Sequence, residues 1–250
     1  MKAIFLASSL GGYIKTEIGR IATHIENSNG FVDRLKHYSS KWKNFVMIAS
    51  NPDVFEKTDE YANIFFQAFN LDGFGIENFY VIDHRFKGDI KETIHNADVV
   101  LFTGGHTPTQ NKYLKEINIK EILRDFDGIL IGQSAGSMNM AETVYCPPDY
   151  PEDLTNDYQK TFSGVGLTPI RVMPHLGSAY DDNVDGNGKN TIDFCLEDSY
   201  SYPMYGIYDY CFIEIANGTQ TAFGKTLLIK DGKCTEICDF AQSIILDKIY

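Results

Sequence analysis

One serine lies in a sequence context that is typical of a catalytic nucleophile. Residues 128–138 read GILIGQSAGSM, so an apolar, strand-like run leads directly into a GxSxG pattern centred on Ser134 and then into helix-compatible residues. A sharp turn from strand to helix crowds the positions flanking the serine, and glycine fits there because it has no Cβ. Such a turn exposes the hydroxyl at the carboxyl end of the strand. The pattern predicts that Ser134 is a nucleophile.

Backbone amides near this serine could stabilise negative charge on a substrate oxygen. Ala135 follows the serine at the start of the predicted helix, where amide groups have no helical acceptor. A second glycine-rich turn, TGGHT at 103–107, ends the preceding strand and should lie at the same edge of an open parallel sheet. We expect the amides of Gly105 and Ala135 to form an oxyanion hole, and His106 and Thr107 to border the substrate.

A serine nucleophile requires a general base, and the sequence contains six histidines. Three of them lie in helical or polar stretches, and those at positions 84 and 106 follow predicted strands, where they could line a cleft. His175 closes the strand-like run IRVMPH at 170–175, which presents its imidazole at a strand end. We predict that His175 is the general base.

An acid that orients the imidazole has two candidates. Asp209 ends the run YGIY at 205–208, whereas Asp149 lies in an acidic loop after the GxSxG turn. The spacing leaves both open. Arg171 lies four residues before His175 and on a strand would face the same side, where it could bind a substrate carboxylate or form a structural salt bridge.

The elements that must position these residues alternate between strand and helix. Short apolar runs at 3–7, 45–49, 79–82, 99–102 and 129–131 predict five strands. Apolar residues recur with helical spacing at 18–25 and at 62–69. This alternation predicts a doubly wound, mostly parallel α/β sheet.

The second half of the chain has a different amino-acid composition. Residues 146–158 are rich in proline and acidic residues and 181–189 in Asp, Asn and Gly, which predicts two surface loops. Short runs at 210–215, 219–223, 226–229 and 235–237 are punctuated by Asn-Gly and Asp-Gly, which predict hairpins. We expect C-terminal antiparallel strands that close the sheet edge. With no repeat and no linker, residues 1–250 are predicted to form a single domain.

Composition limits the classes of partner. The 250 residues include Lys+Arg 22 and Asp+Glu 34, which gives a net charge of −12 and disfavours nucleic acid and anionic membranes as partners. No apolar run reaches the roughly 18 residues of a membrane span, and the run at 3–7 is too short for a signal peptide, so we expect a cytoplasmic protein. The five cysteines include no CxxC pair. We therefore expect neither a metal nor a cofactor.

Four motifs in this order resemble the peptidase E and cyanophycinase group of serine peptidases, which are built on a class I glutamine-amidotransferase-like sheet. They are the glycine turn at 104–107, the GxSxG turn at 132–136, the segment GVGLTPIRVMPH at 164–175 and GIYD at 206–209. The resemblance covers nearly the whole chain.

The resemblance implies roles for individual residues. Ser134 would be the nucleophile and His175 the base. Asp209 falls where cyanophycinase-type members place a glutamate, whereas Asp149 falls where the dipeptidase branch has an aspartate. The chain departs from the family at 105–108, which reads GHTP where members usually read GNTF, in a turn that borders the substrate.

These inferences predict a metal-independent serine peptidase, an exopeptidase or dipeptidase that acts on small peptides, including acidic ones. An amidase or glutaminase-like hydrolase on the same sheet is an alternative, although such relatives carry cysteine where this chain has Ser134. A catalytically silent small-molecule binding or regulatory protein is the alternative from another class. Whether the protein forms a homodimer stays open.

Overall fold

The computed structural model of the protein describes residues 1–17, 19–148, 151–155, 157–181 and 183–246. The strands in these ranges are β1 (Ala3–Ala7), β2 (Gly11–Thr16), β3 (Gly19–Ile25), β4 (Asn44–Ile48), β5 (Asn78–Ile82), β6 (Val99–Phe102), β7 (Ile129–Gln133), β8 (Thr143–Tyr145), β9 (Thr161–Ser163), β10 (Val172–Met173), β11 (Met204–Ile207), β12 (Phe212–Ala216), β13 (Thr219–Phe223), β14 (Thr226–Lys230), β15 (Lys233–Cys238) and β16 (Ser243–Ile245). The α-helices are α1 (Phe31–Tyr38), α2 (Phe55–Leu71), α3 (Ile90–His95), α4 (Thr107–Glu116), α5 (Ile119–Ile122), α6 (Ala135–Asn139) and α7 (Thr191–Asp198). Short 3₁₀ turns occur at Leu123–Asp125, Pro151–Asp153 and Ser178–Tyr180.

An eight-stranded sheet with the order β16-β13-β12-β1-β7-β6-β4-β5 forms the centre of the molecule. The five strands β1, β7, β6, β4 and β5 run parallel to one another. On the other side of β1, the strands β12, β13 and β16 continue the sheet in antiparallel pairs. The predicted α/β fold class is therefore confirmed. Because Ala7 pairs with Gln133 and Phe102 with Gly132, strands β1, β7 and β6 end together at one edge.

Both faces of this sheet are buried, which explains why its parallel strands are continuous apolar runs rather than alternating ones. Phe5 and Ile131 pack in the cluster on one face, together with Trp42. Leu6 and Leu130 pack in the cluster on the other face. The sheet is thus a rigid platform for residues at its carboxyl edge.

The helix predicted at 18–25 is wrong. Strands β2 and β3 form a hairpin there, with Ile14 opposite Ile21, while position 18 lies outside the described residues. The apolar residues of this stretch fit both helical and strand spacing, but Ile21, Thr23 and Ile25 are β-branched and alternate, which favours a strand. Tyr13 packs edge-to-face on Tyr61 of α2, with ring centroids 6.2 Å apart. The hairpin therefore covers the helix α2.

A second sheet, β10-β11-β14-β15, packs around its own apolar cluster. Both predicted C-terminal hairpins form, and the residues of each turn, at 217–218 and 231–232, have positive φ angles as primed turns require. The two hairpins belong to different sheets. The β12–β13 hairpin extends the main sheet, whereas the β14–β15 hairpin pairs with β11 in the second sheet. No helix in the described part of the chain has the length and apolar character needed to cross a membrane.

Candidate active site

Ser134 occupies a strained turn between β7 and α6. Its backbone has φ 52° and ψ −116°, a conformation that residues other than glycine rarely adopt. A Cβ at position 136 would lie 2.1 Å from the carbonyl oxygen of Phe102, and one at position 132 would lie 2.7 Å from the Cα of Ser137. Ser134 N–H donates to the carbonyl of Ala7 at 2.9 Å. The two flanking glycines are therefore required by close backbone approach.

His175 and Asp209 lie at neighbouring strand ends of the second sheet. Val172 pairs with Tyr205 in the parallel pair β10–β11, so the residues that follow the two strands meet at the same end. His175 Nε2 lies 2.9 Å from Ser134 Oγ, and His175 Nδ1 lies 2.6 Å from Asp209 Oδ1. This order of hydrogen bonds is the arrangement of a nucleophile, a base and an orienting acid.

The charge of Asp209 decides which nitrogen of the imidazole carries a hydrogen. The hydrogen bond with His175 lowers the pKa of Asp209, burial opposes this, and a hydrogen bond from Ser8 lowers it further. An ionised carboxylate only accepts hydrogen bonds, so Nδ1 of His175 donates to it. Nε2 is then free to accept the hydroxyl proton of Ser134.

Ser8 is a site residue that the sequence reasoning missed. It is fully buried at the end of β1. Its hydroxyl donates to Asp209 Oδ1 at 2.9 Å and accepts the backbone N–H of His175 at 2.8 Å. A signal was available, since Ser8 is a polar residue directly after a buried strand that neighbours the strand of Ser134.

The glycine turn of 104–105 lies directly beside Ser134. A Cβ at Gly104 would lie 3.1 Å from Ser134 Cβ, and one at Gly105 would lie 2.2 Å from Ser50 Oγ. Gly105 also has φ 157°, which favours glycine. Ala135 is the first residue of α6, at the end of the helix where amide groups lack helical acceptors. The structure thus brings both predicted oxyanion residues close to Ser134.

Two clefts open at Ser134, and Gly105 and His175 line both of them. The Lys57 cleft has a volume of about 210 Å³ and the Met138 cleft about 200 Å³. The Lys57 cleft is further lined by Ser9, Tyr13, Lys57, Tyr61, Phe65 and Gln133. The Met138 cleft is further lined by Thr107, Met138, Cys146, Met173, Ala179 and Thr191.

The sequence also matches the model of a known protein family. The model of peptidase family S51 matches residues 22–223. The chain belongs to peptidase family S51. As an S51 peptidase it is a serine hydrolase that acts on peptide bonds. The predicted resemblance to the peptidase E and cyanophycinase group is therefore confirmed.

Solved structures show the same fold. The crystal structure of a peptidase from an acI-B1 Actinobacterium has a TM-score of 0.70 and 16% identity, and the match covers 98% of this chain and 97% of that one. A protein described as a peptidase E from Listeria monocytogenes EGD-e has a TM-score of 0.56 and 17% identity, covering 88% of this chain and 96% of that one. No curated protein matches this S51 peptidase.

The remaining predicted residues of this S51 peptidase differ in their placement. Thr107 lines the Met138 cleft, and His106 lines a continuation of the Lys57 cleft. Arg171 is directed elsewhere, because its Nε donates to the carbonyl of Pro203 at 3.0 Å and it is not among the described residues that line either cleft. The binding of a substrate carboxylate by Arg171 stays a prediction. Asp149 lies outside the described residues.

Buried amide side chains connect the glycine turn to α6. Gln110 Nε2 donates to the carbonyl of Thr103 at 2.8 Å, and Asn139 Nδ2 donates to the carbonyl of Thr107 and to Gln110 Oε1, both at 3.1 Å. Gln110 and Asn139 are fully buried. These bonds fix the turn of Gly105 relative to the helix that begins beside Ser134.

Proposed function

We propose that this S51 peptidase cleaves small peptides through Ser134, His175 and Asp209. The observation that carries the proposal is the continuous chain of hydrogen bonds from Ser134 Oγ through both imidazole nitrogens to Asp209. A binding protein without catalytic activity would not require these hydrogen bonds. An amidase of the glutaminase type would carry a cysteine at position 134.

The reaction follows from the direction of these hydrogen bonds. Ser134 Oγ attacks the peptide carbonyl carbon while its proton passes to Nε2 of His175, and the negative charge that develops on the carbonyl oxygen is stabilised by the amides of Gly105 and Ala135. The imidazolium then donates this proton to the leaving amine, and the C–N bond breaks. Water, deprotonated by His175, attacks the acyl-enzyme and restores the serine hydroxyl.

The size of the clefts supports a small substrate. The Lys57 cleft, its continuation at His106 and the Met138 cleft have volumes of about 210, 190 and 200 Å³, so together they lie within the roughly 300–1,000 Å³ that is usual for pockets holding drug-sized ligands. The site therefore has room for a short peptide. This favours an exopeptidase or dipeptidase over a peptidase that degrades folded proteins.

A serine-reactive fluorophosphonate probe tests the proposal, with the labelled position found by mass spectrometry. The wild type should be labelled at Ser134, and Ser134→Ala should lose labelling together with about 10⁴-fold or more of the turnover of a dipeptide panel. His175→Ala retains the serine but lacks the base, so it should be labelled much more slowly. A wild type that neither reacts with the probe nor cleaves any dipeptide contradicts the proposal, as does Ser134→Ala with normal turnover.

A further inference from the structure

An open groove with a volume of about 570 Å³ lies along α4, next to the clefts at Ser134. Pro108, Lys112 and Lys115 of α4 line one wall, and Tyr158, Gln159 and Phe162 of the segment around β9 line the other. His106, which precedes α4, lines both this groove and the continuation of the Lys57 cleft. The groove, called the α4 groove below, is therefore continuous with the site of the proposed reaction.

Hydrogen bonds fix the two walls of the α4 groove to each other and to the catalytic site. The buried Asn111 Nδ2 on α4 donates to the carbonyl of Ser163 on β9 at 3.0 Å. The Tyr158 hydroxyl donates to the carbonyl of Pro147 at 3.1 Å, and Pro147 lines the Met138 cleft. The α4 groove is thus formed before any ligand enters, which lowers the entropy cost of binding.

The charges that line the α4 groove cancel. The described lining includes Lys112 and Lys115 on α4, and Asp153 and Asp157 on the opposite wall. The molecule as a whole carries a net charge of −12, which repels anions over most of its surface. A lining with two cations and two anions favours neither sign of ligand, so we expect it to select a peptide by its length rather than by its charge.

The length of the α4 groove sets the number of residues it can hold. The part of α4 between Pro108 and Lys115 is about 11 Å long, at 1.5 Å for each helical residue. An extended peptide advances about 3.3 Å for each residue, so about three residues fit along this wall. Two further residues flank the cleaved bond at Ser134, which gives a peptide of about five residues.

We infer that the α4 groove binds the residues of the substrate beyond the two at the cleaved bond, and that the preferred substrate is an oligopeptide of about five residues. The inference rests on the proposed function. Of the exopeptidase and the dipeptidase that the proposed function allows, it selects an exopeptidase that acts on oligopeptides.

Three peptides that share one pair of residues test the length preference: Asp-Leu, Asp-Leu-Ala-Ala-Ala and Ala-Ala-Ala-Asp-Leu. The pair at Ser134 is the same in all three, and mass spectrometry of the products identifies the cleaved bond. One of the two longer peptides should exceed Asp-Leu in kcat/KM by about 10-fold to 100-fold. The longer peptide that is preferred shows which side of the cleaved bond lies toward the α4 groove.

Substitutions of an exposed lysine separate the groove from its charge. Lys112→Trp places a large ring in the α4 groove and should lower kcat/KM for the preferred longer peptide to nearly that of Asp-Leu. Lys112→Met removes the same charge without filling the groove, so it should keep most of the advantage of the longer peptide. Lys91 is exposed on α3 and lines neither the groove nor the two clefts, so Lys91→Trp should leave all three rates unchanged.

Binding to the Ser134→Ala protein gives a readout that does not need turnover. Calorimetry should show tighter binding of the preferred longer peptide than of Asp-Leu, and Lys112→Trp in the same protein should remove this difference. Two outcomes overturn the inference: a wild type that prefers neither longer peptide, or a Lys112→Trp protein that retains the wild-type preference. The proposed function fails separately, since it requires fluorophosphonate labelling at Ser134, which does not involve the α4 groove.

Discussion

Ser8 contacts two members of the proposed triad at once. Its hydroxyl donates to the carboxylate of Asp209 and accepts the backbone N–H of His175. Ser8 therefore fixes the position of the strand-end backbone that carries the imidazole as well as the acid that orients it. Ser8 directly follows β1 of the main sheet, whereas His175 and Asp209 follow β10 and β11 of the second sheet, so Ser8 also joins the two sheets.

Removal of this hydroxyl should affect catalysis more than stability. We predict that Ser8→Ala lowers kcat by about 10-fold to 100-fold, the usual range for a lost hydrogen bond to a charged group. Because the Ser8 hydrogen bond lowers the pKa of Asp209, its loss raises that pKa, and the decline of activity in acid should begin at a higher pH. The pH profile of kcat/KM measures this shift.

Ser199 provides the matched control. It is also fully buried, its hydroxyl donates to the carbonyl of Leu196 at 2.8 Å, and it accepts the N–H of Gly232 at 2.9 Å. Ser199→Ala should lower the melting temperature and leave the pH profile unchanged. Equal profiles for the two variants would show that Ser8 is only structural.

The identity of the acid is tested by substituting each candidate. Asp209→Asn should lower turnover by as much as about 10⁴-fold, because an amide no longer holds the imidazole in the required tautomer. Asp149→Asn should have a much smaller effect on kcat. The folded-state pKa of Asp209 is lowered, so the stabilisation that its charge provides is present above the usual aspartate pKa and disappears only as pH falls through the lowered value. A larger loss for Asp149→Asn would assign the role to that residue instead.

At the scale of elements, α4 and α6 are joined by a network of buried amides. Asn139 is its centre, since it donates to the Thr107 carbonyl and to Gln110 and accepts a hydrogen bond from Asn111 at 3.0 Å. The network connects the start of α4, directly after Gly105, to the helix that begins beside Ser134. The relative position of the two proposed oxyanion amides therefore depends on side chains that never meet the substrate.

We predict that Asn139→Leu lowers kcat and leaves KM nearly unchanged. The substitution leaves Gln110 Oε1 without its donor and removes one of the two acceptors of Asn111 Nδ2. An unsatisfied buried polar group costs about 1–3 kcal/mol, and its loss of contact loosens the glycine turn. Steady-state kinetics and thermal melting measure the two effects. Thr226→Val is the control, since it removes a fully buried hydroxyl that donates to the Gly224 carbonyl, away from both clefts. If the Asn139→Leu protein has a lower melting temperature than the wild type but a normal kcat, the network contributes to stability alone.

The elements that the sequence predicts well are those in which local pattern and burial agree. The five parallel strands are buried on both faces, so their apolar runs are visible without knowledge of partners. The β2–β3 hairpin is predicted as a helix because its apolar residues also fit helical spacing, although the alternating β-branched residues at 21, 23 and 25 favour the strand that packs on α2. Ser134 and His175 are visible as strand-end residues. Lys57 lies on a helix, and its approach to the sheet edge depends on packing that spacing does not encode.

At the scale of the whole molecule, a partly buried ion pair joins two residues that are 180 positions apart in the sequence. Arg34 on α1 donates from Nε and Nη2 to both carboxylate oxygens of Glu214 on β12, each at 2.6 Å. The hydroxyl of Tyr38 also donates to this carboxylate. The pKa of Tyr38 is raised to about 12, chiefly by burial and by this bond with Glu214. The pair fixes α1 onto the antiparallel extension of the main sheet.

The two partners differ in exposure, which predicts unequal effects of their removal. The side chain of Glu214 is 6% exposed and that of Arg34 is 34% exposed. Arg34→Met leaves a buried carboxylate without its cation and should cost about 3–5 kcal/mol, whereas Glu214→Gln leaves a cation that water can reach and should cost less. The first variant should melt roughly 6–20 °C below the wild type. Equal melting temperatures for the two variants would contradict this account.

The backbone conformation of Ser134 has a consequence for how this fold evolves. Ser134 and His175 both have positive φ angles, 52° and 55°, which cost on the order of 1–3 kcal/mol each for residues other than glycine. At position 134, selection for stability alone would therefore favour glycine, and selection for peptide cleavage opposes this. At position 175, glycine would also remove the hydrogen bond to Asp209. A descendant lineage that no longer needs the reaction would gain stability through the first substitutions that inactivate it. The strained serine at position 134 is thus a cost in stability that the proposed reaction explains.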